Sequence, residues 1–161
     1  MREIKFRGKR LDNGEWVYGD LLRRSGATYI VYEDKPKDHN LRNIVIDRDN
    51  NPSCPPVTDW TIYELVDPET VGQYTGLDVS FGGGKEIYEG DIVTGEYFKG
   101  RVKWGSKSIV CFDTIDDTDG WNNGVILGWV TTNESSLQDL VEGGCEIIGN
   151  KYDNPELLED K

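Results

Sequence analysis

The chain has 161 residues and a net charge of -12, and 30% of its residues are charged. This length suits one domain or two small ones, and the 5 Trp, 8 Tyr and 4 Phe argue against disorder because large aromatic side chains repay the entropy of ordering their neighbours. The negative charge disfavours direct nucleic-acid binding, which depends on Lys and Arg displacing counterions from the phosphate backbone.

The sequence predicts a cytoplasmic protein without membrane segments. No apolar run approaches the roughly 20 residues of a membrane-spanning helix, and residues 1–5 (MREIK) lack the apolar stretch of a signal peptide. Cys54, Cys111 and Cys145 are odd in number and form no C-x-x-C motif. We therefore expect reduced thiols, mostly buried, and neither a disulfide framework nor a zinc site.

The first third of the chain predicts a β-hairpin followed by a third strand. Apolar residues alternate with polar ones over residues 3–22, on either side of the turn sequence Asp12-Asn13-Gly14. Residues 27–33 (ATYIVYE) form the next predicted strand. Residues 43–47 are a further short strand, the proline-rich stretch 49–56 is a loop, and residues 59–66 (DWTIYELV) fit either strand or helix, with strand favoured.

The second half predicts short strands separated by turns rich in Gly and Asp, as in a small barrel. The predicted strands are residues 70–75, 86–94, 100–104, 108–113, 125–130 and 145–149. Helical turns are expected at residues 135–141 and after Asn154. The predicted architecture is mainly β, with an N-terminal hairpin and small sheet over residues 1–66 and a barrel over 67–161, the two packing separately or as one unit. The predicted barrel core comprises Ile87, Ile92, Val102, Ile109, Val110, Ile126 and Ile147.

No motif assembles a catalytic, cofactor or metal site. Residues 82–85 (GGGK) lack the rest of a phosphate-binding loop and indicate a hairpin tip. The acidic stretch 113–120 (DTIDDTDG) has enough carboxylates to hold a cation, but its spacing departs from a calcium loop, so a solvated loop is favoured. His39 stands alone in a polar loop, and pairs such as Glu86 with Glu89 arise readily among 30 acidic residues.

Two segments in the middle of the chain carry the most specific pattern. They are residues 72–77 (GQYTGL) and 85–93 (KEIYEGDIV), and they occur together with the opening residues 1–10 (MREIKFRGKR), with 16–21 (WVYGDL) and with the closing 146–158 (EIIGNKYDNPELL). This combination resembles the YopX family of phage and prophage proteins. The resemblance implies a β-rich protein with an SH3-like barrel in its C-terminal half and no established biochemical activity. Residues 78–84 (DVSFGGG) are longer than the loop usual in that family, which puts any family-wide role of this tip in doubt.

Three hypotheses for function follow. The first is a non-catalytic binding or assembly protein that associates with itself, with a host or phage protein as a further candidate partner. The second is an acidic inhibitor that mimics DNA and occupies a basic groove of a host enzyme. The third, an enzyme built on Glu86, Glu89 or Asp91 with Tyr74 or Tyr88, is disfavoured because these residues have a simpler structural role: Asp91 bonds amides of its own turn, and Tyr88 packs with its hydroxyl at the surface.

Self-association is predicted to use the N-terminal hairpin. Residues 1–24 carry seven basic and four acidic side chains, a net +3, which leaves -15 for the rest of the chain. We expect Phe6, Trp16 and Tyr18 to supply apolar area on one hairpin face while basic residues approach the acidic body of a neighbour. The predicted interaction residues are Phe6, Arg7, Trp16, Tyr18, Gln73, Tyr74 and Tyr88.

Overall fold

A computed structural model describes residues 4–34, 61–79, 84–95, 107–116 and 125–159. The architecture is mainly β, as the sequence predicts. The chain divides into two compact units: an N-terminal unit of Lys5–Val71, and a C-terminal unit of Gly72–Lys161 together with Met1–Ile4.

The N-terminal unit contains four antiparallel strands in the order β4-β3-β2-β1. They are β1 (Phe6–Lys9), β2 (Trp16–Arg24), β3 (Ala27–Glu33) and β4 (Thr61–Leu65). The predicted hairpin, the bounds of the third strand and the favoured strand at residues 59–66 are confirmed. Ser25 and Gly26 connect β2 to β3 with φ angles of 53° and 81°, and two positive φ angles define the tight turn whose twist matches that of adjoining strands.

One face of these strands carries the buried side chains of the N-terminal unit. Successive side chains of a strand point to opposite faces, and cross-strand partners share a face. Ile30 and Val66 are fully buried on this face, and Gly8 lies so close to Val66 that an added Cβ would be 3.0 Å from its nearest methyl. After β4 the chain turns through a 3-10 helix (Pro68–Thr70), where the Thr70 hydroxyl accepts a hydrogen bond from the Lys9 amide at 2.9 Å.

The C-terminal unit contains a hairpin and a five-stranded antiparallel sheet in the order β10-β9-β8-β7-β11. Its elements are β5 (Gly72–Asp78), β6 (Glu86–Tyr88), β7 (Asp91–Gly95), β8 (Lys107–Asp116), β9 (Val125–Thr131), β10 (Ser135–Ser136), α1 (Leu137–Glu142), β11 (Cys145–Asn150) and a 3-10 helix (Pro155–Leu158). Among the described strands, the sheet is open, because no pairing joins β10 to β11. None of the described helices is long and apolar enough to cross a membrane.

The core of the C-terminal unit lies between the sheet and α1. Leu137, Leu140 and Val141 of α1 pack in one cluster with Val93 of β7 and Val110 of β8. The predicted core is confirmed for Ile87, Ile92 and Val110, which are fully buried, whereas Ile109 and Ile147 are only half-buried. Val102 lies outside the described residues, and only the backbone of Ile126 is described.

Two predicted strands differ from the observed ones. The strand expected at residues 70–75 begins at Gly72 and continues to Asp78, because residues 68–70 form the 3-10 helix. The single strand expected at 86–94 is two strands, β6 and β7, separated by a turn at Glu89 and Gly90. The predicted strands at 43–47 and 100–104, the loop at 49–56, His39 and Cys54 lie outside the described residues.

Candidate functional site

The N-terminal unit displays an apolar face opposite its buried one. The register places Leu22, Tyr29 and Leu65 in one row across three strands, and Val31 and Tyr63 in the next row. We call this surface the aromatic face, and it consists of Tyr18, Leu22, Tyr29, Val31, Tyr63 and Leu65, with the exposed Asp20 in the row of Val31 and Tyr63. Tyr18, Leu22, Tyr63 and Leu65 are each 36–53% exposed, and the other two are half-buried. An apolar surface shared by three strands is typical of an interaction site rather than of scattered exposed residues.

Charged residues border the aromatic face at opposite ends. Arg24 ends β2 beside the β2–β3 turn, and Glu33 ends β3 at the other end of that strand; both side chains are exposed. Six residues separate Glu33 from Ala27, the partner of Arg24, so the two charges are about 20 Å apart at the usual rise of a strand. The face therefore has a basic end and an acidic end.

Trp16 and two cations lie at the edge of this face, where β1 pairs with β2. The guanidinium carbon of Arg7 lies 4.7 Å from the centre of the Trp16 ring, and the Lys9 ammonium lies 5.6 Å from it. Such cation–π contacts are worth about 0.5–2 kcal/mol each, more where water is excluded. Because Arg7 is buried, its role is to hold Trp16 in place rather than to offer a charge at the surface.

The register corrects the predicted hairpin surface. Phe6 pairs with Gly19 and Arg7 pairs with Tyr18, so Phe6 points to the face opposite Tyr18 and Trp16. The hypothesis that Phe6, Trp16 and Tyr18 share one face is therefore wrong. Tyr18 joins the aromatic face, while Phe6 lies on the same side as the buried Gly8.

The family-like segments in the middle of the chain form a compact polar cluster in the C-terminal unit. Tyr74 pairs with Tyr88, and their ring centres are 5.6 Å apart. The Tyr74 hydroxyl donates to the Asp78 carboxylate at 2.9 Å, and the Tyr88 hydroxyl donates to Glu86 at 2.7 Å. Each hydrogen bond joins two residues of the same strand, and bonds to charged acceptors are stronger than neutral ones, so they hold the two tyrosines in place while the ring pair makes the contact between β5 and β6.

The turn that follows is held by Gly90 and Asp91. Gly90 has a φ of 83°, in the left-handed region that favours glycine, and its amide donates to the Val110 carbonyl at 2.9 Å. The buried Asp91 carboxylate accepts a hydrogen bond from the Tyr88 amide at 2.8 Å. The interpretation that Asp91 bonds its own turn is confirmed.

Most of the residues of the enzyme hypothesis lie close together, but their contacts are structural: Tyr74 packs on Tyr88, and Tyr88 forms hydrogen bonds with Glu86 and Asp91. Tyr88 is buried, so the expectation that its hydroxyl lies at the surface is wrong, and neither Tyr88 nor Arg7 offers an exposed side chain to a partner. Gln73 and Tyr74 are half-buried, and the Gln73 carbonyl accepts a hydrogen bond from the Glu89 amide. Within the described ranges, no three His, Cys, Asp or Glu side chains form a group that could hold a metal ion.

The two described cysteines have raised pKa values. Burial raises the pKa of the Cys145 thiol, and burial followed by the negative charges of Asp113 and Glu89 raises that of Cys111. Cys145 is buried and Cys111 is half-buried, and both are free thiols. Their thiolate fractions at neutral pH are therefore lower than that of an ordinary cysteine.

We expect slow alkylation of both thiols by iodoacetamide in the folded protein, with Cys111 modified before Cys145. The reagent attacks the thiolate, so protection by burial and by the raised pKa values should make both rates at least about tenfold lower than in urea-unfolded protein. Peptide mass spectrometry at timed intervals measures each site separately. Modification of Cys145 as fast as that of Cys111 would contradict the assigned burial.

Sequence reasoning missed most of the aromatic face. Residues 27–33 and 61–65 were predicted as strands, but Tyr29, Val31, Tyr63 and Leu65 were not assigned to a surface. The available signal was that β3 has apolar side chains at both alternating positions, which predicts either two covered faces or one exposed apolar face. Sequence alone does not distinguish these two cases.

These features define a mainly β protein of two units with an exposed apolar sheet face. A family model described as YopX protein matches residues 5–159, nearly the whole chain, and the protein belongs to the YopX family. A search of curated proteins and a search of solved structures each found no match.

Proposed function

We propose that this protein is a non-catalytic binding and assembly protein of phage or prophage origin that acts in the cytoplasm and associates with itself. The observation that carries the proposal is the exposed aromatic face of the N-terminal unit, with Tyr18, Leu22, Tyr63 and Leu65 each 36–53% exposed. Membership of the YopX family supports the phage-type assignment.

The aromatic face suits contact between two copies related by a twofold axis. Two sheet faces pack about 10 Å apart with their strands nearly aligned, so the apolar rows of one copy would interdigitate with those of the other. In an antiparallel arrangement, the basic end at Arg24 meets the acidic end at Glu33 of the second copy. A twofold axis repeats this pairing on both sides of the interface.

We expect the native mass to be twice that of the chain at micromolar concentration, measured by light scattering. The double variant Tyr63→Lys/Leu65→Lys introduces four like charges into the dimer interface and should raise the dissociation constant at least about 100-fold. Leu158→Lys is the matched control, since Leu158 is an exposed leucine of the C-terminal unit and lies outside the aromatic face. A monomeric mass for the unaltered protein would overturn the proposal.

The charge pairing has its own test. Arg24→Glu and Glu33→Arg should each weaken the dimer, and the two changes combined in one chain should restore it because the opposite charges meet again in reversed order. If the combined variant does not recover dimerisation, the antiparallel arrangement is ruled out, but the apolar contact between the two faces is not.

The charge of the C-terminal unit favours a second candidate function, the acidic inhibitor that mimics DNA. Residues 72–161 hold 17 acidic and 7 basic side chains, a net -10 of the total -12. A DNA mimic would bind a basic groove on a host enzyme in competition with duplex DNA. Binding of this protein to such an enzyme that persists when DNA saturates the basic groove would count against this function.

The SH3-like barrel implied by the family resemblance is a further part of the proposal. It is supported by the antiparallel order of five short strands and by burial on both faces of the sheet, with Val110 on one side and Ile92 and Val130 on the other. A crystal structure would test whether the barrel is closed: in a closed barrel the outermost strands approach each other and enclose one core.

A further inference from the structure

Strands β8 and β9 extend as a two-stranded ribbon beyond the rest of their sheet. The pairing of β8 with β7 covers Lys107 to Ile109, whereas its pairing with β9 continues from Val110 to Asp116. Among the described residues, therefore, the distal part of β8 has only β9 as a partner strand.

One face of the ribbon passes from buried to exposed along its length. Val110, Phe112 and Thr114 share this face with their partners Thr131, Trp129 and Leu127. Near the sheet, Val110 and Thr131 are buried in the core beside α1. Farther out, Phe112, Val125 and Leu127 are 55–70% exposed.

We call this distal surface the ribbon face; it consists of Phe112, Val125, Leu127 and Trp129. Trp129 fixes the orientation of Phe112, because the two rings meet edge to face at 5.2 Å between centres. On the reverse side of the ribbon, Ile115 is buried. Among the described side chains of the ribbon, the strongly exposed apolar ones thus lie on one side, and this side continues the core of the unit, unlike single exposed apolar residues, which are common on any surface.

The net charge of the unit that carries the ribbon face indicates the kind of partner this face fits. The exposed charged residues described in this unit are seven acidic ones and three basic ones: Asp113, Glu134, Glu142, Glu146, Asp153, Glu156 and Glu159 against Lys85, Lys107 and Lys151. The whole unit carries a net -10. Contact between two ribbon faces would bring two such units together, and their mutual repulsion opposes it. The same charge repels nucleic acid and anionic lipid.

We propose that the ribbon face docks a basic segment of another protein whose apolar side chains alternate with Lys or Arg. The apolar side chains of the segment cover Phe112, Val125 and Leu127, and its cations are attracted by the net negative charge of the unit. Apolar contact supplies affinity, and charge supplies association rate and selectivity against acidic segments. This site is in a different unit from the aromatic face and goes beyond the proposed self-association, so either proposal can fail alone.

The test uses a fluorescein-labelled peptide in which Lys and Leu alternate, with the 10 residues of β8 as its length. Fluorescence anisotropy with the full chain should show binding that weakens as salt is raised. A Glu-Leu peptide tests the charge requirement, and a Lys-Ser peptide tests the apolar requirement; both should bind at least tenfold more weakly than the Lys-Leu peptide.

The double variant V125S/L127S locates the site. It should weaken binding of the Lys-Leu peptide at least tenfold, which corresponds to about 1.4 kcal/mol. The matched control L11S/L158S removes two exposed leucines outside the ribbon face and should bind as the unaltered protein does. Melting curves of both variants establish that they are folded.

Three results would overturn the proposal. The first is equal peptide binding by V125S/L127S and the unaltered protein. The second is equal binding of the Lys-Ser and Lys-Leu peptides, which would show that charge alone is responsible. The third is a fall in native mass caused by V125S/L127S, which would show that a second copy covers the ribbon face.

Discussion

Replacing Gly19 by alanine should destabilise the N-terminal unit more than any other single methyl addition to its sheet. A Cβ on Gly19 would lie 2.2 Å from the carbonyl oxygen of Val31 and 2.9 Å from its carbonyl carbon, both in the neighbouring strand β3. These are backbone atoms at the end of the β2–β3 ladder, so relief requires the two strands to separate there. We expect a loss of about 3 kcal/mol and a melting temperature lower by roughly 10 °C.

The same substitution at Gly128 is the matched control. Gly128 also lies in a strand, β9, but a Cβ there would have no atom within 4 Å, so Gly128→Ala should change stability by less than about 0.5 kcal/mol. Urea unfolding followed by tryptophan fluorescence measures both variants. Equal stabilities for the two would show that β2 and β3 are not as close at Gly19 as described.

Replacing Gly90 by valine should have the second large effect, in the C-terminal unit. The φ of 83° is unfavourable for a β-branched residue, and an added Cβ would lie 3.3 Å from side-chain carbons of both Lys151 and Tyr152. Strain and crowding together should cost about 2–4 kcal/mol and lower the melting temperature.

Gly90→Asn separates the two causes. Asparagine tolerates positive φ angles better than valine, but its Cβ meets the same neighbours. We expect Gly90→Asn to lose roughly half as much stability as Gly90→Val, measured by thermal unfolding. A melting curve for Gly90→Val that matches the unaltered protein would refute the turn assignment.

The sequence predicted those elements whose signals are local. The β1–β2 hairpin follows from alternating residues around Asp12-Asn13-Gly14, and Gly14 has the positive φ expected of such a turn. The bounds of β3 coincide with the β-branched and aromatic run ATYIVYE. The helix α1 was expected because a serine cap precedes it and Gly143-Gly144 follows it, although the Ser136 side chain makes no capping hydrogen bond.

The candidate surfaces were harder to predict because they depend on what covers each face. Alternation in β1 and β2 identifies two sets of side chains, but only the pairing of Phe6 with Gly19 shows that Phe6 and Tyr18 point to opposite sides. Phe112 and Leu127 have the same apolar character as the buried Val110 and are exposed because the α1 cluster includes Val110 but not them. Tertiary packing, not residue type, distinguishes these cases.

The order in which strands pair also bears on how the protein folds during synthesis. In the N-terminal unit, β1 pairs with β2 and β2 with β3, each through a short connection. In the C-terminal unit, β7 pairs with β11, although roughly fifty residues separate Val93 from its partner Ile147. Closing so long a loop is slow relative to forming hairpins.

Strand β7 therefore completes its pairing only after β11 has left the ribosome. The segment Lys5–Val71 can complete its own contacts much earlier. Until β11 has been synthesised, one edge of β7 is unpaired and the buried residues of α1 lack one of their packing partners, Cys145. The C-terminal unit is consequently most prone to aggregation while β11 is still being synthesised, and folding chaperones would act at that stage.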